Sequence, residues 1–202
     1  ALGLFEHKGV AGHPGDLGMR RIADLVLDAV YPDDRLAARK VTRRFLDRGF
    51  SDVAFVNDMG NTHYSFFDRK EGYEETMREA GLAPNVIIAQ NEGYGRISEE
   101  QFRPLFAQRK RPRVFICYSP QYVSLLCRVA RGRGLLGGRD FHVATFAPEP
   151  FSFDGIEIPT AVMDECGLAR TAVRMLLDEI DGQRTGMLSV AVPYSAFVGF
   201  DS

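Results

Sequence analysis

Four histidines, three cysteines and 27 Asp plus Glu are the residues of this chain that could do chemistry, and their spacing excludes most of it. Two imidazoles at i and i+4 on one helix face, or close Cys/His pairs, are what a zinc site requires. His7, His13, His63 and His142 are dispersed, and Cys117, Cys127 and Cys166 form no Cys-x-x-Cys pair, so no metal site is expected. The odd cysteine count argues against a disulfide framework and for a reducing compartment. A serine nucleophile elbow, Gly-x-Ser-x-Gly, is absent, and Cys117 sits in an apolar run where a thiol stays buried and inert. Neither GxGxxG nor GxxxxGK[ST] occurs, so no phosphate cradle and no cofactor is expected; Gly93 and Gly95 mark a turn, Gly132 and Gly134 a helix end. Asp33-Asp34 fits a helix N-cap and Glu74-Glu75 an exposed helix face, leaving no carboxylate pair for acid and base roles. The chain is not read as an enzyme.

The elements that position these residues alternate strand with helix. Apolar runs predict strands at residues 2–5, 25–31, 52–57, 86–89, 114–118, 141–146, 160–163 and 188–192. Between them, helical spacing predicts helices from Asp34 to about residue 48 and over 67–80, 98–110, 121–133 and 167–180. The first is opened by the Asp34 carboxylate and presents Arg35, Arg39, Lys40, Arg43, Arg44 and Arg48 as a solvated face. Ser98-Glu-Glu-Gln101 reads as a capping box, residues 9–18 as a loop, and the Pro/Phe stretch after residue 146 as irregular. Such alternation indicates βαβ units in a mainly parallel sheet, with ligands bound beyond the carboxyl ends of the strands. Those ends carry residues 57–69, 118–121 and 146–149, and place His7 and His63 on the ligand side; His142, inside a strand, reads as structural.

With 202 residues, 45% of them hydrophobic, the chain can bury a core. Lys plus Arg number 25 and the formal net charge is -2, which argues against an extended nucleic-acid surface. No run approaches the roughly 18 to 20 apolar residues of a membrane span, and residues 1–8 lack a signal-peptide pattern, so no membrane contact and a cytoplasmic location are expected. The opening inside a strand, without Met, predicts a piece of a longer chain.

Several segments in fixed order resemble one family: Val30-Tyr-Pro-Asp-Asp-Arg-Leu-Ala-Ala38, the stretch from Phe45 to Phe55, Asp68-Arg-Lys-Glu-Gly-Tyr73 and its continuation to Leu82, residues 113–146, and Ile158-Pro-Thr-Ala-Val-Met-Asp-Glu-Cys-Gly-Leu-Ala-Arg170. They are similar to the effector-binding domain of the LacI/GalR (lactose-repressor) transcription regulators, which itself resembles type I periplasmic sugar-binding proteins. The resemblance implies an α/β fold of two Rossmann-like parallel-sheet subdomains joined by three crossovers, with a small effector in the cleft. It places residues 1–30 and 147–164 in an N-terminal subdomain expected to be truncated, and 31–146 and 165–202 in a C-terminal one, with no DNA-binding headpiece in this chain.

By that resemblance the chain is the ligand-sensing and dimerisation part of a repressor that reads operator DNA through the absent headpiece. Its effector is expected to be a sugar or a related metabolite. The alternative is a periplasmic sugar-binding protein of an ABC transporter, against which the closing segment, typical of repressors, argues. Arg69, three positions before Gly72, matches the family arginine that hydrogen-bonds the effector, and Glu6 an acidic cleft position. Strand-end position adds His7, Asp58, Asn61, Tyr64, Phe66, Tyr118, Ser119, Gln121, Phe146 and Glu149, the aromatics being able to stack on a sugar ring. The sequence departs from the family at Ser119-Pro120, where an Asn-Asp pair is usual, and at Ala147, where an Asp is usual. Tyr122, Leu125, Leu126 and Val129 fall on the helix that contributes to the family's dimer surface, although their spacing equally describes a buried helix face.

Overall fold

The computed structural model describes residues 30–58, 63–89, 99–108, 110–181 and 189–200. Val30–Pro32 (β1), Asp34–Asp47 (α1), Val53–Asp58 (β2), Tyr64–Glu79 (α2), Asn85–Ala89 (β3), a 3-10 turn at Glu99–Gln101, Arg103–Ala107 (α3), Val114–Cys117 (β4) and Pro120–Arg131 (α4) come first. His142–Ala147 (β5), Phe151–Phe153 (β6), Ile156–Ile158 (β7), Thr160–Val162 (β8), Glu165–Ile180 (α5), Val190–Val192 (β9) and Ala196–Val198 (β10) complete the elements of the described residues. The α/β reading holds, with a mostly parallel sheet.

Two units are distinguishable. The larger takes in Asp33–Met163 and Pro193 onward, the smaller the described residues up to Pro32 together with Asp164–Val192. The chain therefore passes between them three times, but the partition differs from the expected one, which put residues 147–164 with the first strand and 165–202 with the large sheet. Strand pairing explains the difference: β8 pairs parallel with β5 and antiparallel with β10, which holds 147–163, with the separate β6-β7 hairpin between them, in the larger unit. In the smaller unit β1 and β9 pair in parallel, and α5 lays Ala172 and Leu168 on Val30 and Val192.

The large sheet runs β10-β8-β5-β4-β2-β3, parallel except for β10. Its strands are apolar on both faces, as a sheet covered twice must be. Val53, Phe55, Val114, Ile116, Ala144 and Phe146 face α1 and α2, while Ala54, Val56, Phe115, Cys117 and Val143 face α3 and α4, so the period of two divides each strand between two cores.

Three local expectations are corrected. Asp33, not Asp34, caps α1, its Oδ1 accepting from the Leu36 amide at 2.9 Å; only one of the adjacent carboxylates can occupy the cap. The helix expected over 98–110 is, where described, a 3-10 turn and a five-residue helix with Pro104 in its first turn, since proline there removes a donor from any longer ladder. Its capping-box Ser98 lies outside the described residues. The irregular stretch after residue 146 holds the β6-β7 hairpin, turned at Asp154-Gly155, where both residues have positive φ, the geometry an Asp-Gly hairpin favours. Strand β10 was not anticipated.

Candidate functional site

The chain runs from β2 out to β3 and returns to the other side of β2 as β4, so the order of strands reverses between β2 and β4. In open parallel sheets the crevice beyond the carboxyl ends at such a reversal is where ligands bind. Here that crevice is flanked by α2, which follows β2, and by Tyr118, whose amide donates to the Val56 carbonyl at 2.9 Å.

Arg69 lies there on the buried face of α2. Its Nε donates to Asp34 Oδ1 at 2.6 Å, Nη1 to the Tyr118 carbonyl at 2.7 Å and Nη2 to Tyr194 Oη at 3.0 Å. The Tyr194 hydroxyl in turn donates to Asp34 Oδ1 at 2.7 Å. The guanidinium is stacked between the Tyr118 and Phe146 rings, its central carbon 4.7 Å from each centroid. Three of its five N–H groups are used by the described residues, which leaves one on each terminal nitrogen without a partner among them. Burial opposes the Arg69 charge, but Tyr194 and Asp34 more than offset it and its pKa lies above the ordinary value. Burial, seconded by the neighbouring Asp34 charge, raises the pKa of the Tyr194 phenol far above that of a free tyrosine, so at neutral pH it is a hydroxyl that can donate.

Asp34 is fully buried, and its second oxygen, Oδ2, has no hydrogen-bond partner among the described residues. A buried carboxylate oxygen without a donor costs free energy that a bound hydroxyl would recover. Around this pair, Ser65 Oγ lies 2.8 Å from Tyr118 Oη and 2.7 Å from His63 Nδ1, and the His63 side chain caps α2 by accepting from the Ser65 amide. Tyr64 stands 45% exposed at the start of α2; desolvation and then Asp34 raise its pKa, which places its hydroxyl in the same field.

The anticipated residues divide. Arg69, Tyr118 and Phe146 come together as one cluster, with Tyr64 beside it. Phe66 is buried in the core against Phe55, and Gln121 and Glu149 are exposed without a place in the cluster. Ser119 begins α4 at the cap position without a side-chain cap bond. Asp58 ends β2, with its side chain outside the described residues, as are Glu6, His7 and Asn61 altogether. Tyr122, Leu125, Leu126 and Val129 are buried against β4 and β5, so their hydrophobicity is accounted for inside the chain. Asp34 and Tyr194 went unrecognised as site residues. The doubled Asp33-Asp34 was the available signal, because the carboxylate not used as a cap must find another partner; Tyr194, 160 residues away, carries no signal.

Among the described residues no group of three His, Cys, Asp or Glu could hold a metal, and no helix is long and apolar enough to cross a membrane. A family model described as periplasmic binding protein-like domain matches residues 42–198. No curated protein matches the chain significantly in sequence. Among solved structures, the chain is similar to a candidate LacI-family transcriptional regulator from Rhizobium etli, at 20% identity and TM-score 0.72 over 83% of this chain and 62% of that one. It is also similar to a LacI-family transcription regulator from Clostridium acetobutylicum, at 16% identity and TM-score 0.68 over 82% and 62%. A candidate ribose operon repressor from Burkholderia thailandensis matches at 20% identity and TM-score 0.61 over 81% and 60%. These likenesses are of fold, and the chain spans about three-fifths of the length of each.

Proposed function

This chain belongs to the periplasmic binding protein-like domain family, and from that premise we propose that it is the effector-sensing part of a LacI-type transcription regulator. The observation that carries this reading is the Arg69–Asp34–Tyr194 cluster at the strand-order reversal. Among the described residues it leaves two guanidinium N–H groups and one carboxylate oxygen without partners in a buried cluster, with Tyr64 half exposed at the start of the same helix. A polyol supplies what these groups need, acceptors for Arg69, a hydroxyl donor for Asp34 Oδ2, and an apolar ring face for the tyrosines. The effector is therefore read as a sugar or sugar-like metabolite. The fold likeness to a candidate ribose operon repressor supports the same class. Operator DNA would be read through a headpiece outside this sequence, and effector binding would act on a pair of such chains.

The test is a calorimetric screen of pentoses, hexoses, sugar acids and nucleobases. Arg69→Ala is the wrong control, because it strands the buried Asp34 and confuses lost binding with lost folding. Tyr64→Ala is the right one, being half exposed. A sugar that binds saturably and weakens about tenfold in Tyr64→Ala, the loss of roughly 1.4 kcal/mol of stacking, supports the reading. A nucleobase hit, or sugar binding indifferent to Tyr64, overturns it.

A further inference from the structure

A cavity lies at the end of the large sheet opposite the Arg69 cluster, at the amino ends of its parallel strands. It has a volume of about 540 Å³, within the range of small-molecule sites, and is built wholly within the larger unit. Its floor is aromatic and aliphatic, formed by Phe141, Phe153, Leu135 and Phe200, with Leu136 half exposed at the mouth. None of these residues takes part in the Arg69 cluster.

The charges at this cavity are not evenly spread. The His142 ring packs against Phe50 at 4.7 Å between centroids, and Arg113, outside the cavity lining, lies 5.0 Å over the same Phe50 ring. Burial, then Arg113, then Arg48 hold the His142 pKa below its ordinary value, both of these charges being cations. At the hairpin end Arg131 is neutralised by its ion pair with Asp154, and Glu157 adds a negative charge on that side. The cavity thus has an apolar body, a corner where the Arg48 cation stands beside a neutral His142 imidazole that can donate one N–H, and a negative edge at Glu157.

We propose that this cavity binds a planar aromatic carboxylate, its rings against Phe141 and Phe153 and its carboxylate turned to Arg48 and His142. The aromatic walls supply edge and face contacts for the rings, Arg48 a charge-assisted donor for the carboxylate, and Glu157 repels the reverse orientation. The site is independent of the sugar reading.

The probes are 1-naphthoate and its neutral analogue 1-naphthylmethanol, titrated calorimetrically into the 202-residue chain. Naphthoate is expected to bind one to one and more tightly than the alcohol. Arg48→Gln, an exposed position, should weaken naphthoate up to about fivefold and leave the alcohol unchanged, as expected for a partly screened charge. Leu136→Trp, which fills the mouth from an exposed position, should abolish both. Naphthoate binding that survives Leu136→Trp overturns the proposal, as does equal affinity for acid and alcohol. So does a dimer that dissociates in Leu136→Trp without any naphthoate binding, which would make a second copy the occupant.

Discussion

Helices α1 and α2 meet along two strips that use the same pair of charges in opposite surroundings. On the outer strip Arg35, Arg39 and Arg43 stand four residues apart and face Glu71, Glu75 and Glu79 at the same interval. Arg39 reaches Glu75 at 3.0 Å and Glu79 at 2.8 Å, Arg43 reaches Glu79 at 3.2 Å, Arg35 reaches Glu71 at 3.5 Å and also pairs with Glu75. On the inner side a single pair, Arg69 and Asp34, sits at 2.6 Å with side chains 7% and 0% exposed. Exposed pairs are screened and contribute roughly 0.2–1 kcal/mol each, whereas stranding one partner of a buried pair costs about 3–5 kcal/mol. The outer strip fixes the register of two helices; the inner pair fixes one guanidinium at the candidate site.

The largest expected effect breaks the inner pair. Asp34→Ala leaves the Arg69 charge buried with only the Tyr194 hydroxyl, the Tyr118 carbonyl and two aromatic rings as partners and no counter-charge, and urea denaturation should show a loss of about 3–5 kcal/mol. The double variant Asp34→Leu with Arg69→Met should recover most of that loss, because it removes both charges at once. A single variant as stable as the parent would mean that the buried pair contributes no more than the outer ones.

A smaller effect separates the strips together. A Cβ built at Gly72 would run into the Arg35 carbonyl oxygen and come to 3.2 Å from Ala38 Cβ, so the absence of a side chain is what lets α1 and α2 approach. Gly72→Ala would ordinarily favour a helix by about 1 kcal/mol. Here overpacking should outweigh that preference, for a net loss of about 1–2 kcal/mol in the same denaturation experiment. A gain in stability would show that the helices can part without cost.

Much of this arrangement is legible in the sequence, and what is not has identifiable causes. The apolar runs place β2, β4 and β5 almost to the residue because strands covered on both faces must be apolar throughout. The Arg run of α1 was expected to be merely solvated; its true partners, Glu71, Glu75 and Glu79, lie on another helix, and no single-helix pattern discloses which face meets which. Arg69 was singled out by the family resemblance, three positions before Gly72, yet its partners Asp34 and Tyr194 are 35 and 125 residues away, so its burial could not be read locally. The expected grouping of residues 147–164 with the first strand was no more local a matter, since the place of this segment depends on the pairing of β8 with β5 and β10.

The smallest expected effect sharpens the outer strip. Hydrogen bonds from Arg35, and then Arg39, lower the Glu75 pKa below the ordinary 4.5, and in α2 the bonds from Lys70 and Arg78 outweigh burial to lower that of Glu74. A carboxylate whose folded pKa lies below its unfolded one stabilises the fold fully at pH values above the unfolded value. That contribution then disappears as the pH falls from about 4.5 through the folded value. Glu75→Gln should therefore cost no more than about 1 kcal/mol at neutral pH and low salt, less at 1 M salt, where the screening length is about 3 Å. Parent and variant should converge in acid, once Glu75 of the parent is protonated as well. The inner pair should respond to salt far less, since its charges are shielded from ions; melting curves of Glu75→Gln and Asp34→Ala in low and high salt read both strips in one experiment. If Asp34→Ala proves the more salt-sensitive of the two, solvent reaches Arg69, and its guanidinium is held by water as much as by Asp34.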